Sequence, residues 1–308
     1  MSCKKTFYML AFMLLSALFY TNANAIVKSK GIYINQGTLE KTDYLKFLIQ
    51  ESKAVGINTF IVDLEKPTRN YQKNINLIKS NGIKYVARIV VFPDGGRPGQ
   101  IKSVAYWEKK FNLVKQAVEF GADAIQLDYI RYSTKQPPSS QNAKDIKQVI
   151  KWYKQKLAAY NVPLQIDIFG EVSFKESPRI GQNVQVFADT VDAVCPMVYP
   201  SHYHPYQQHS AEPYKTVYKS LTALKGKFNN NNPPFKLNAF IEASNYHYRW
   251  SSAKKSVYLL AQIKAVEDAN ADGWYVWSPT NKYNHLFSAL KGKTVAAKNA
   301  KPNLLSEK

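Results

Sequence analysis

The sequence predicts an α/β chain folded as a single (β/α)8 TIM-like barrel. Three observations carry that expectation. Short apolar runs rich in Ile, Val and Phe alternate with segments of helical period, and both repeat along the chain. Eight such units fit in roughly 260 residues, the size of one barrel. An acidic residue also stands near the end of one strand after another: Asp63 and Glu65 after Phe60-Ile61-Val62, Asp128 after Ile125-Gln126-Leu127, Asp167 within Leu164–Phe169, and Glu242 after Phe240-Ile241. The rival, a doubly wound open sheet, would carry a glycine-rich dinucleotide fingerprint after strand one, and none is present.

The elements follow in order. Gly31–Asn35 reads as strand one. Tyr44–Val55 reads as a helix, with Leu45, Leu48, Ile49 and Val55 on one side. Asn58–Leu64 is strand two, and Tyr71–Ser80 a helix that Gly82 closes. Ile83–Phe92 is strand three, apolar apart from Lys84 and Arg88, as suits a parallel sheet covered on both faces. Trp107–Phe120 is a helix ending at Gly121, and Ala124–Ile130 is strand four. Asn142–Tyr160 is a long amphipathic helix and Val162–Phe169 strand five. Strand six, Ala193–Tyr199, comes after an irregular stretch. Helix Tyr214–Leu224, strand Phe235–Ile241, helix Val257–Ala269 and strand Gly273–Trp277 complete the set. Long loops at 93–103, 170–186 and 200–213 leave strand C-terminal ends, where a barrel places its binding loops. The Asn229–Pro234 turn falls on the opposite face, where no function is expected.

The ends of the chain differ from its middle. Residues 1–25 read as a signal peptide: Lys4 and Lys5, an apolar run from Phe7 to Tyr20, then Ala23-Asn24-Ala25 as a small-x-small cleavage site. That run is shorter than the roughly 20 residues a membrane span needs. Export to a periplasm or to the outside is therefore expected, with residues 26–290 forming the barrel and 291–308 a frayed basic tail. Cys195 is then the sole cysteine of the mature chain, and its apolar strand setting suits an inert buried thiol better than a nucleophile. Net charge is +20, or +18 without Lys4 and Lys5. The lysines are scattered and no nucleic-acid module signature appears, so the charge suits electrostatic contact with anionic envelope surfaces or an acidic polymer rather than nucleic acid.

Asp128 is the sharpest candidate for chemistry. A carboxylate at a barrel mouth is costly to bury unless paired, and Arg131 is the expected partner that holds it ionised. Gln126, Asp128 and Ile130 share one side if the strand stays regular. Asp167 lies on the next strand, about 4.8 Å away, so the two carboxyl groups can sit at the roughly 5–9 Å of glycosidase acid pairs. Glu171 and Glu242 are the alternatives to Asp167. Asp63 and Glu65 share a face, with a structural role as good a reading as a functional one. Tyr129, Tyr132, Tyr199, Tyr203, Tyr206, Tyr246, Tyr248, Trp250, Trp274 and Trp277 sit where rings can stack on sugars. His202, His204 and His209 invite a metal reading, but His-x-His alone is a weak signal, and His202 as a donor to a sugar hydroxyl is the better one. No cofactor is expected. Ser201 lacks a nucleophile-elbow context.

The segments KGIYIN, IVDLE, KYVARIVVF, DAIQLDYIRYS, IDIFGEV, VCPMVYPSHY and GWYVWSP recur in order from residue 30 to about 285. In these the chain resembles a bacterial family of barrel-domain glycoside hydrolases long left without an assigned activity. The resemblance implies a carbohydrate polymer or oligosaccharide as substrate, with Asp128, Arg131, Asp167, Tyr199 and His202 around the pocket. Tyr203 and Trp277 are further candidate substrate contacts. Strand seven departs from the family pattern, reading Leu237-Asn238-Ala239-Phe240 where a Trp before a Gln is common. The expected activity is glycosidic-bond hydrolysis with Asp128 ionised and Asp167 as proton donor. The alternatives are a glycan-binding barrel that does not cut, and a metal-dependent deacetylase or phosphoesterase acting on envelope polymers.

Overall fold

A computed structural model describes residues 28–245, 247 and 251–299. The predicted signal peptide, the aromatics Tyr246, Tyr248 and Trp250, and the tail from residue 300 lie outside the described residues. Eight parallel strands close into a barrel in sequence order. The repeating elements are β1 (Ser29–Ile34), α1 (Thr42–Ala54), β2 (Thr59–Asp63), α2 (Arg69–Ser80), β3 (Lys84–Val90), α3 (Val104–Glu119), β4 (Ala124–Asp128), α4 (Ser140–Leu157), β5 (Leu164–Phe169), α5 (Val184–Phe187), β6 (Ala193–Met197), α6 (Pro213–Lys225), β7 (Lys236–Glu242), α7 (Ser252–Asp268), β8 (Gly273–Trp277) and α8 (Asn284–Asn299). One-turn helices Gln36–Leu39, Pro98–Ile101 and Tyr206–Ala211 sit in the loops after β1, β3 and β6. No helix of the described residues is long and apolar enough to cross a membrane.

Strand alternation divides the apolar residues into two layers. Ile32, Ile34, Phe60, Val62, Ala87, Ile89, Ile125, Leu127, Ile166 and Ile168 face the helices and join one large core. Tyr33, Ile61, Val86, Ala124, Cys195, Phe240 and Tyr275 point into the lumen and form a second, smaller cluster. Burial on both faces explains why the strands read as apolar runs. Helix starts are fixed by side-chain caps: Thr68, Ser103, Ser139, Asn183 and Ser251 each accept a hydrogen bond from a first-turn backbone N–H. Each such cap is worth about 1 kcal/mol.

One polar device recurs four times at the N-terminal face. Asn58, Asp123, Asp192 and Asp272 each precede an even-numbered strand, and each exchanges two hydrogen bonds with the preceding odd-numbered strand. Their side-chain oxygens accept from Lys30 N (3.0 Å), Tyr85 N (2.8 Å), Leu164 N (2.7 Å) and Leu237 N (2.8 Å). Their own N–H groups donate to the carbonyls of the same four residues at 2.7–2.9 Å. These paired bonds satisfy backbone groups at the strand starts. These four side chains, three acids and one amide, are architectural, and the carboxylates of the opposite face are the ones that line the cleft.

Three elements differ from expectation. Strand four stops at Asp128, because Tyr129 turns to φ +52°. Ile130 therefore packs into the outer core and does not share the lumen side with Gln126 and Asp128. A helical turn, α5, occupies the stretch read as irregular, started by Asn183. The last helix runs to Asn299, with Lys291 and Lys293 paired to Glu51 and Glu267, so residues 291–299 are helical where fraying was expected.

Candidate active site

At the C-terminal mouth the lumen opens into a cleft of about 530 Å³. Its floor is built around a cation that the sequence shows as an interruption of strand three. Arg88 opposes Asp63 of β2 across the sheet, and its guanidinium spans the lumen. Nη1 donates to Asp63 and Nη2 to Asp128, while Nε stands 3.7 Å from Asp167. Tyr33 donates its hydroxyl to the other oxygen of Asp63, and the guanidinium lies 5.4 Å from the centre of its ring. Burial works against the charge on Arg88, but Asp128, Asp63 and Asp167 outweigh it and hold the cation firmly protonated.

The two predicted catalytic acids meet here in different surroundings. Asp128 accepts from Arg88 on one oxygen and from the Tyr129 backbone N–H on the other. The left-handed turn at Tyr129 aims that N–H back at the carboxylate. Asp167 is the inward residue next along β5, since Gln126 pairs with Gln165 and Leu127 with Ile166. It is 1% exposed. Its Oδ1 has no hydrogen-bond partner among the described residues. Burial first, and the Asp128 charge second, push its carboxyl well above the usual range, against the opposing pull of Arg88. One acid is thus bonded as an anion while its neighbour favours the protonated form.

Arg131 corrects an expectation. It does not pair with Asp128; Arg88 takes that role. Arg131 leaves the mouth of β4 and donates from Nη1 to the carbonyls of Tyr132 (3.0 Å) and Asp94 (3.4 Å). Its guanidinium lies between the rings of Tyr129 (5.1 Å) and Phe169 (5.3 Å) on the cleft wall.

The remaining candidates divide. Glu171 lies in the helical turn after β5, exposed, on the cleft wall. Glu242 does not line the cleft. It is sealed behind β6–β7, accepting from the Ser201 backbone N–H (2.8 Å), the Ser201 hydroxyl (2.7 Å) and the Tyr258 hydroxyl. Burial raises it to about 7 despite these bonds. Its observed work is to anchor the loop that carries Tyr199 and His202. Asp63 holds Arg88 from below, and Glu65 is exposed away from the lumen.

Aromatic rings form the other walls. Tyr199 stacks on Trp277 at 5.1 Å with 16° between planes, and His202 stands edge-on to Tyr199 at 5.3 Å. Burial, and to a lesser degree His247, lowers the His202 pKa, which favours the uncharged ring. Tyr203 is buried and its hydroxyl accepts from Ser220 at 3.0 Å. A Cβ on Gly170 would sit 2.1 Å from that hydroxyl, so only glycine lets the strand-five turn lie against Tyr203. At the rim, Tyr206 stacks on His247 at 4.2 Å. Tyr132 and Trp274 are buried structural rings. His209 contacts Thr216 at 2.9 Å, and no group of three His, Cys, Asp or Glu side chains suited to a metal occurs among the described residues. Cys195 is fully buried in the lumen, with its thiol pushed up by burial.

Sequence reading missed Arg88, Tyr33, Phe169, Gln182 and His247 as site residues. Only Arg88 carried a usable signal, as a charge at an inward position of an otherwise apolar strand.

A barrel with carboxylates gathered on a cation at its C-terminal mouth, walled by stacked rings, has the architecture of a carbohydrate-processing (β/α)8 protein. Residues 99–283 match the family described as "Putative glycosyl hydrolase domain", and the chain belongs to that family. Among solved structures it is similar to a class V chitinase from Pseudomonas fluorescens Pf-5, with TM-score 0.62 and 13% identity over 87% of this chain and 100% of that one. It is also similar to the Bacillus cereus spore cortex-lytic enzyme SleL, with TM-score 0.60 and 11% identity over 86% of this chain and 74% of that one. A third likeness is the endo-1,4-beta-mannanase of Rhizomucor miehei, with TM-score 0.61 and 10% identity over 88% and 95%. At these identities the likeness is one of fold. No curated protein matches the chain.

Proposed function

We propose that this member of the glycosyl hydrolase family cleaves glycosidic bonds in an extracellular or envelope polysaccharide, with Asp128 as the ionised carboxylate and Asp167 as proton donor. One observation carries the reading: two neighbouring carboxyl groups on the floor of a sugar-sized cleft are differently held, Asp128 bonded to a guanidinium and a backbone N–H and Asp167 buried with its carboxyl pushed well above the usual range. Asp128 spends both oxygens on a guanidinium and a backbone N–H, which suit an anion. Asp167 is buried beside that anion with one oxygen unpartnered. A proton on that oxygen has no competing acceptor among the described residues, as a proton donor requires. Glu171, exposed on the wall, is the second donor to test. Stacked Tyr199 and Trp277 supply an apolar face for a pyranose, and the imidazole of His202 a polar edge. The similar chitinase, mannanase and cortex-lytic structures fit a polymeric substrate, and the signal-like first 25 residues fit export.

The test is release of new reducing ends from a polysaccharide panel. Asp128→Asn is expected to lower turnover about 10³-fold or more, with the unfolding transition kept. Asp167→Asn and Glu171→Gln then identify the donor, since only the true donor's loss is relieved on substrates with good leaving groups. Full turnover by Asp128→Asn would overturn the assignment. Retention of a polymer by the wild-type protein with no new ends would instead favour a glycan holder.

A further inference from the structure

Arg131 is a buried cation with no salt bridge among the described residues; Asp128 and Asp94 act on it only from longer range. Only 8% of it is exposed, yet it lines the cleft, and no carboxylate among the described residues lies within salt-bridge distance of it. Arg88, the other arginine lining the cleft, is neutralised there by three aspartates. Burying a guanidinium unpaired is costly, and such groups persist where a ligand completes them.

The setting of Arg131 is built rather than incidental. Tyr129 and Phe169 cover the guanidinium at 5.1 and 5.3 Å. The carbonyls of Tyr132 and Asp94 take Nη1. Asp94 and Gly95 both adopt positive φ, at +59° and +91°, to pass beneath it. A Cβ on Gly95 would stand 2.6 Å from Nη1, so glycine is needed for the side chain to lie as it does. With Nη1 occupied, the Nε and Nη2 donors have no hydrogen-bond partner among the described residues and remain as a planar pair, the geometry that takes a carboxylate or a phosphate- or sulfate-type group by two parallel bonds.

We propose that Arg131 selects a substrate bearing an anionic substituent on the sugar that occupies the Tyr129–Phe169 side of the cleft. This rests on the carbohydrate reading above and narrows it to charged glycans: a uronic acid carboxylate, or a sulfate or phosphate ester. The site matches the charge of the whole chain, whose excess of 42 basic over 22 acidic residues favours the approach of an anionic polymer. Arg131 also offsets the repulsion that an anionic sugar would meet at the aspartate floor.

Binding, read separately from cleavage, tests this. Affinity electrophoresis and calorimetry of the wild-type protein on alginate and on carboxyl-reduced alginate form the carboxylate arm. Dextran sulfate against dextran forms the sulfate arm, and dextran phosphate against the same dextran the phosphate arm. At least one charged polymer is expected to bind ten-fold or more tightly than its neutral counterpart in 0.15 M salt. Arg131→Met is expected to remove most of that preference and Arg131→Lys to restore part of it. Lys73→Met, the same charge change on exposed α2, is expected to leave it intact. Equal binding of charged and neutral polymers by the wild-type protein overturns the proposal without any variant having to fold. Equal losses from Arg131→Met and Lys73→Met overturn it too, since the effect would then be one of net charge. Charge-selective binding without any reducing-end release would sink the hydrolase reading and leave the role of Arg131 standing.

Discussion

Arg88 is the residue on which the floor of the cleft depends, and Arg88→Met is its sharpest test. The substitution keeps an unbranched side chain of similar reach and removes the charge. Asp63 would keep the Tyr33 hydroxyl, and Asp128 the Tyr129 N–H, so neither carboxylate loses every partner. What disappears is the single cation between two bonded aspartates and a third at 3.7 Å. Breaking a buried ion pair from one side costs about 3–5 kcal/mol because it strands a charge. For a chain of this size, that converts to a fall of roughly 6–10 °C in Tm.

The companion change separates stranded charge from lost packing. Asp63→Asn alone removes a partner from Arg88 and is expected to cost about 1–3 kcal/mol. Combined with Arg88→Met, the same change removes a stranded charge, and the pair should be more stable than Arg88→Met alone by about 1–2 kcal/mol. Denaturant unfolding of the four proteins at pH 7 gives all terms. An Arg88→Met protein within about 0.5 kcal/mol of wild type, or a double variant showing simple addition of two losses, would refute the claim that charge compensation organises this floor.

Other outcomes are equally specific. Glu242 is raised from 4.5 to about 7 by burial, so the folded state holds its proton more tightly than the unfolded chain. Stability should therefore fall as pH rises between those values, by about 3 kcal/mol in all, and Glu242→Gln should flatten that slope; an unchanged pH profile of unfolding would contradict the burial argument. Gly170→Ala places a methyl against the Tyr203 hydroxyl and the Met197 carbonyl, at 2.1 and 2.5 Å. It should cost about 1–3 kcal/mol and raise KM more than it lowers kcat. Trp277→Ala unstacks Tyr199 and should weaken polymer binding about ten-fold while thermal unfolding moves only a few degrees; undiminished retention on an affinity gel would count against a sugar platform there.

Strand alternation made the barrel legible because both faces of each strand are buried, so apolar runs of five to seven residues stand out between helical segments. The carboxylates Asp128 and Asp167 were legible for the same reason: a charge ending such a run has few structural excuses. The choice of partner for Asp128 was not. Arg131 is three positions away in sequence, but Tyr129 turns the chain at φ +52° and carries it to the cleft wall. Arg88 is forty positions away and reaches Asp128 from the neighbouring strand β3. Chain proximity favoured the wrong guanidinium, because pairing in a barrel follows register.

Glu242 shows the same limit from the other side. Its placement at the end of β7 resembles that of Asp128 at the end of β4, and periodicity treats them alike. What separates them is the loop after β6, which brings Ser201 over Glu242 and closes it from the cleft, while Asp128 lines the cleft. Once Ser201 and Tyr258 are seen to hold Glu242, its role becomes one of position: it fixes the loop whose next residues, His202 and Tyr203, form the wall facing the aspartates. A strand-end acid in such a barrel is thus open to the cleft or sealed away from it according to the loop above it. Loop course depends on contacts far apart in the chain, which local residue pattern does not encode.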